Sequence, residues 1–413
     1  MILKKNFFII LFLLTNYLSY SQEEENEDGF KFGGAMRYNL LSTNYESGTS
    51  PLNPQITWDT WRLNVDGSVV GVDLSFEYRF YPTFGSHFIH HGYLGYAFSD
   101  NVYMKLGVSQ VPFGIQTYAS HSWWFQGPYY VGLEDDYDMG VNFEITPSEK
   151  LRLALAYFRQ AEPEGPKFGG DVTFGNAGPG RYSYDIVPGL GAYVNGDDEI
   201  VMTQASLREL DQLNGRIAYD VTGNLEIGAS AQIGGIYNSV LQEKETSTAF
   251  AAHILGNFGN FNLKAEYISY NYNAKSDEGN DLDVVQMGAY GYEYFGSGLS
   301  YGEAGFYTGG AAARANMYVA GLAYSVPVDF GPVSSLQFYV DYTLIDKINE
   351  EFYDTKHLVP GVLITAGSIY TYVDYAMGVN QPWLTDSFGK GLGSGVEDPG
   401  WNTRFNINMG YYF

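Results

Sequence analysis

The sequence predicts an all-β chain folded as a transmembrane antiparallel β-barrel of about 16 strands. Three observations predict it. Apolar and polar residues alternate with a period of two along almost the whole chain, and a helical repeat is nearly absent. Connections sort by parity, with short turns after even-numbered strands and mostly long loops after odd-numbered ones. Aromatic residues reach 17%, with 37 Tyr and 27 Phe, as expected where rings gather at two membrane interfaces.

The elements follow in order. Lys4 and Lys5 precede an apolar run from Phe7 to Leu14, which reads as a secretory signal peptide over residues 1–21. The run is too short to cross a bilayer as a helix, and no other stretch approaches the ~18 consecutive apolar residues that would. Residues 22–29 form a short acidic segment, and the barrel is expected over 30–413. Cys is absent, so disulfides contribute nothing. In residues 72–81, Val72, Leu74, Phe76, Tyr78 and Phe80 alternate with Asp73, Ser75, Glu77 and Arg79. One face is apolar and the other charged.

The same pattern marks 30–40, 61–66, 88–98, 102–109, 139–146, 151–157, 214–221 and 225–233, then 249–258, 261–267, 316–326, 336–344, 358–366, 369–378 and the terminal segment. Short turns are expected at Asp66-Gly67, 99–101, 147–149, 222–224, Gly259-Asn260 and Gly367-Ser368, with a longer link at 327–334. Long loops are expected at 41–57, 110–137, 160–212, 234–248, 271–315 and 379–400. Residues 284–294 are read within an external loop; a hairpin there would make 18 strands. A soluble sandwich has no reason to keep this parity along the whole chain.

With the apolar face against lipid, the polar face lines a lumen. The alternation places Lys31, Arg37, Arg62, Arg79, Lys105, Arg152, Arg216, Lys264 and Arg404 on that wall. It places Asp66, Asp73, Glu77, Asp138, Glu144, Asp220, Glu226, Glu266, Asp341 and Asp374 there too. Residues 1–21 hold two Lys and no acid, so the remainder carries 20 basic against 47 acidic residues. Nearly half of the basic residues thus fall on the wall, and most of the acids fall in loops. The acidic balance excludes a nucleic-acid surface, which needs a basic footprint.

Residues 111–138 are too long and too aromatic to stand in water and are read as a constriction loop folded into the barrel. Its candidate residues are Phe113, Trp123, Trp124, Tyr129, Glu134, Asp135, Asp136 and Asp138. The four acids are read as a solvated run rather than a Ca²⁺ site. His87, His90 and His91 stand close in sequence, but a loop or interfacial role is favoured over a metal. His121-Ser122 has no identifiable third partner for nucleophilic catalysis, so no enzyme activity, metal or cofactor is expected. A barrel of 16 strands is wide enough for an aqueous channel, and no plug domain fits before residue 30. Passive diffusion of small hydrophilic solutes or ions is the expected function. The competing reading is a structural barrel with a closed lumen, whose acidic loops dock a partner.

The segments VPFG after the fifth strand, YVGLEDDYDMG, NMYVAGLAYSVPV, FYVDYTLIDK, IYTYVDYAMGVNQPW and RFNINMGYYF together resemble the phosphate-selective porin O/P family of outer-membrane porins. The resemblance implies a 16-stranded, usually trimeric barrel with inward loops, in the outer membrane of a gram-negative bacterium. It also implies an arginine ladder, to which Arg37, Arg62, Arg79, Arg152, Arg216 and Arg404 could belong, and a lysine cluster in the constriction. Residues 111–138 contain no Lys or Arg, which argues against phosphate selectivity. The expected partners are outer-membrane lipid, the barrel assembly machinery and two further copies of the chain. Phe405, Tyr411 and Phe413 are expected to close the barrel and mark the chain for assembly.

Overall fold

The computed structural model describes residues 29–83, 86–163, 181–289, 310–385 and 391–413; the expected signal peptide lies outside the described residues. The wall begins with β1 (Gly29–Thr43), β2 (Gln55–Val69), β3 (Val72–Tyr81), β4 (Ser86–Ser99), β5 (Val102–Gln110), β6 (Tyr137–Ser148) and β7 (Leu151–Ala161). Three short strands follow outside it: β8 (Asp185–Ile186), β9 (Gly189–Val194) and β10 (Ile200–Ala205). The wall resumes with β11 (Leu207–Asp220), β12 (Leu225–Asn238), β13 (Glu243–Phe258) and β14 (Phe261–Asn271). After the small strands β15 (Val284–Val285), β16 (Met287–Gly288) and β17 (Ala311–Ala312), it is completed by five more. These are β18 (Arg314–Phe330), β19 (Val333–Lys347), β20 (Thr355–Ala366), β21 (Ile369–Val379) and β22 (Asn402–Tyr412).

The 16 wall strands form one closed barrel. Closure is made by β1 and β22, paired antiparallel from Ala35 opposite Tyr412 to Thr43 opposite Arg404. Gly34 and Phe413 extend that seam by two backbone hydrogen bonds of 2.9 and 3.0 Å. A Cβ on Gly34 would run into the Phe413 ring and the Arg62 carbonyl, so glycine lets the last residue seat here. With every edge paired, no backbone group is left to face lipid.

The outer face is apolar, and Phe32, Leu63, Leu155, Leu213, Phe250 and Phe338 are all exposed. Between them along the strands lie buried polar residues such as Glu77, Asn142, Asn214, Gln232, Glu266 and Asp341. Such inversion fits a chain solvated by hydrocarbon outside, with its polar groups paired inside. Phe30, Phe98, Phe258, Phe261, Phe330 and Phe413 are exposed beside the short turns, forming an aromatic rim where rings suit the interface. No described helix is long and apolar enough to span a membrane. The barrel and its apolar band place the chain in the outer membrane of a gram-negative bacterium.

Several expectations are corrected. The first turn lies at Val70-Gly71, both with positive φ (53° and 73°), and Asp66-Gly67 is inside the β1–β2 ladder. The link expected at 327–334 shrinks to Gly331-Pro332, because β18 and β19 run to its edges. The long loop expected at 234–248 is a hairpin whose strands continue to Asn238 and from Glu243. Residues 284–289 add no barrel hairpin: β15 pairs with β9 and β17, and β16 with β8, away from the wall. Residues 290–294 lie outside the described residues.

Candidate functional site

Residues 111–136 leave β5 and return to β6 without forming wall. Their backbone is held by inward side chains from strands far apart around the barrel. Ser230 Oγ on β12 accepts from Gly114 N (2.9 Å), and Glu266 on β14 accepts from Ile115 N (3.0 Å). Asp341 on β19 accepts from His121 N (2.7 Å), Ser122 N (2.8 Å) and His121 Nδ1 (2.8 Å). Thr343 Oγ1 accepts from Gly127 N (3.1 Å), and Trp123 Nε1 donates to Asp59 on β2 (3.3 Å). A segment bonded to the polar faces of β2, β12, β14 and β19 lies inside the lumen.

Cations complete the attachment: Lys264 Nζ donates to the Tyr118 and Ser120 carbonyls (2.9 and 2.7 Å), and Arg216 Nε to the Gly114 carbonyl (2.8 Å). Four residues expected on the pore wall, Arg216, Lys264, Glu266 and Asp341, therefore clamp the loop. His121-Ser122 is part of the same clamp. His121 Nε2 meets Asn262 Oδ1 at 2.5 Å, and Ser122 Oγ donates to the Trp124 carbonyl (2.9 Å).

Between the loop and the wall built from β1–β3, β21 and β22 lies a cavity of about 710 Å³. Arg37, Arg62, Arg79 and Arg404 line it, against the acids Asp59 and Glu46. Arg37 Nε is paired with Asp59 (2.8 Å), and Arg79 with Glu77 behind it. Arg404 stacks over Trp123 and Trp124 (5.8 and 5.1 Å), and Arg79 over Tyr182 (4.4 Å). Among the described residues, neither Arg62 nor Arg404 forms an ion pair with a carboxylate. Flat aromatic faces, Trp58, Trp123, Tyr129 and Trp383 among them, complete the lining.

The six arginines named for a ladder thus divide. Four share this cavity, whereas Arg152 and Arg216 converge on Glu226 together with His253. Lys105 pairs with Glu144 (2.5 Å) and Asp73 accepts from Tyr103 (2.8 Å), both near the short-turn end, where Lys31 stands opposite Asp66. Asp374 is buried and accepts from Tyr339.

Phe113 and Tyr129 are buried in the packed interior, and Phe125 stacks on Tyr129 with ring centres 3.8 Å apart. The expectation of a solvated acidic run is wrong, because Glu134, Asp135, Asp136 and Asp138 are all at most 5% exposed. Partners from the loop itself, from residue 182 and from β11 bury them: Glu134 accepts from Ala119 N (3.0 Å), Asp135 from the Tyr182 hydroxyl (2.5 Å), and Asp138 from Gln212 (3.0 Å). Burial pushes Glu134 well above the carboxylate range and Asp135 up to about 7. The loop therefore shows the lumen far less negative charge than its composition suggests.

His90 and His91 do meet, Nδ1 to Nδ1 at 2.9 Å, while His87 bonds to Tyr78 instead. The register slips by one residue there, so a bulge turns two consecutive histidines inward. Sequence reasoning missed Asp59, which joins Arg37, Trp123 and Asn408 (2.8 Å), and Tyr182, which joins Asp135 and Arg79.

No family model and no curated protein matches the sequence. Solved structures do resemble the fold. OmpT of Vibrio cholerae, in its in-vitro folded trimer form, aligns with TM-score 0.55 at 14% identity over 94% of this chain and 100% of that one. An anion-selective porin from Comamonas acidovorans gives 0.55 at 12% identity, over 94% and 100%. Salmonella typhi OmpF, in complex with daunomycin, gives 0.56 at 10% over 95% and 99%. The fold is that of the bacterial porins. It is shared with several of them, and at these identities the likeness does not single out the phosphate-selective O/P group.

Proposed function

We propose that this chain is a passive outer-membrane porin whose path runs between residues 111–136 and the wall of β1–β3, β21 and β22, and favours small anionic solutes. The likeness to porin structures over nearly the whole chain supports a general diffusion channel. The observation that carries the preference is the cavity itself. It bears four arginines, two of them without an acidic ion-pair partner, while the loop's carboxyls are buried, and burial pushes Asp135 up to about 7. Aromatic faces beside the arginines suit solutes with a flat ring or sugar face next to a carboxylate. Phosphate selectivity is not part of the proposal, since the loop contributes no cation.

Purified barrels in a planar bilayer with a salt gradient test this directly. Stepwise conductance with a reversal potential of anionic sign is expected. Folded barrels that pass no ions would overturn the channel and leave a closed docking barrel; cation preference would overturn the charge argument. A homotrimer inserted by the barrel assembly machinery is proposed on the porin likeness, and the molar mass of the detergent-solubilised complex tests the trimer.

A further inference from the structure

Five carboxylates meet at the outer rim, where β6, β7 and β11 begin or end. Asp136 and Asp138 come from the return of the inward loop, Glu162 from just beyond β7, Asp185 from β8 and Glu209 from β11. Ligand oxygens of Asp136, Asp138 and Asp185 lie within 4.8 Å of one another, and all three residues are buried. Among the described residues, Arg181 is the one basic side chain paired with the group, through Asp185 (3.1 Å).

The protein's donors do not satisfy these acids. Gln212 reaches Asp138 Oδ2 (3.0 Å), Ile186 N reaches Glu209 (2.8 Å), and the amides of Tyr182 and Ser183 take Glu162 Oε1 (2.9 and 2.8 Å). Asp136 Oδ1, Asp138 Oδ1 and Glu162 Oε2 are left buried without a partner. Glu162 lies outside the clustered trio: it comes from another segment, is 2% exposed, neighbours Asp185, and keeps Oε2 buried without a partner. A bare carboxylate oxygen in such a place costs several kcal/mol of solvation, and like charges add to it.

We propose that Asp136, Asp138, Glu162 and Asp185 form a Ca²⁺ site that fastens the inward loop and the β8 segment to the outer rim of the barrel. Donors are all oxygen, with no imidazole or thiolate, which selects a hard cation. Oxygens around one Ca²⁺ at roughly 2.4 Å can stand up to about 4.8 Å apart, so the observed spread fits a single ion. Mg²⁺ demands a tighter octahedron and keeps its waters, and it suits a ring of buried carboxylates from three separate segments less well. The ion would cancel the repulsion, satisfy the three bare oxygens, and couple loop position to external calcium.

The test uses the full-length barrel in lipopolysaccharide-free detergent after a chelator wash. Tb³⁺ luminescence excited through the neighbouring tyrosines is titrated, then competed with Ca²⁺ or Mg²⁺. About one equivalent of Tb³⁺ displaced by Ca²⁺, and at least tenfold less readily by Mg²⁺, is expected. Asp136→Asn and Asp185→Asn, both outside the barrel strands, are expected to weaken Ca²⁺ at least tenfold while heat-modifiable migration shows a folded barrel. Calcium should raise the unfolding temperature of the parent protein and not of either variant. Folded parent protein with no Ca²⁺-displaceable Tb³⁺ would overturn the site. So would folded Asn variants that bind Ca²⁺ like the parent. If one variant fails to fold, the parent titration and the other variant decide.

Discussion

Replacing Arg62 by alanine tests the charge argument where it is most exposed. Arg62 lines the cavity with no carboxylate at ion-pair distance, so its charge is left to act on passing ions as well as on Glu77 and Asp135 nearby. An ion about 6 Å from it in a water-filled path feels roughly 0.7 kcal/mol, reduced by screening at 0.1 M salt to about 0.4 kcal/mol. The anion is favoured and the cation disfavoured by that amount, a difference of about 0.8 kcal/mol, or about fourfold in permeability ratio. Arg62→Ala should therefore lower the chloride-to-potassium ratio about fourfold, read from the reversal potential in a potassium chloride gradient. Arg152→Ala is the comparison, because Arg152 lies off the cavity and shares Glu226 with Arg216 and His253. A conducting Arg62→Ala barrel with an unchanged ratio, or an equal change at Arg152, would refute the reasoning.

Asp135 makes the preference pH-dependent: its carboxyl titrates at about 7, so anion preference should fall as pH rises from 5 to 9, and Asp135→Asn should flatten that profile. The raised value also means that native stability from this group is full below about 3.8 and lost as pH rises through about 7. Asp135→Asn should then be the more stable form at pH 8, by up to about 4 kcal/mol, in denaturant unfolding. Asp341→Ala removes three hydrogen bonds and strands the amides of His121 and Ser122, loosening residues 119–124 by about 3 kcal/mol or more. Single-channel conductance and its noise should both rise, and an unchanged conductance would show that the loop does not restrict the path. Deleting Phe413 removes two seam hydrogen bonds to Gly34 and a rim aromatic, so surface levels should drop severalfold while surviving channels keep their selectivity.

The wall was legible because lipid on one side and polar lumen on the other impose a strict period of two. Where the period breaks, the reading broke with it. The β1–β2 register slips between Met36 and Tyr38, so Asp59 and Thr60 both turn inward between Trp58 and Trp61, and β2 looked as though it began at residue 61. That bulge concealed Asp59, a principal anchor of the cavity. Another between Leu210 and Leu213, with Asp211 at φ 55°, hid the first half of β11. Glycine misled in the opposite sense. Gly234-Gly235, at the start of the long loop expected over 234–248, sits in the β12 ladder opposite Ser247 and Thr246, where small residues admit the facing chain.

The fate of the acids shows why composition alone misjudged the site. The chain carries 47 acidic and 22 basic residues, and the loop closing on four of the acids reads in sequence as a solvated acidic run. Sign at a constriction is set by which charges face water, not by how many the chain carries. The loop's four acids are buried away from the cavity, with Ala119, Tyr182 and Gln212 among their partners, while Arg62 and Arg404 line the path. No pattern in one dimension announces this, because the residues that hide Glu134 and Asp135 come from 119 and 182 in the chain. The same folding-back brings Asp136 and Asp138 onto Glu162 and Asp185, so the loop that leaves the path basic also gathers the carboxylates that require a cation of their own.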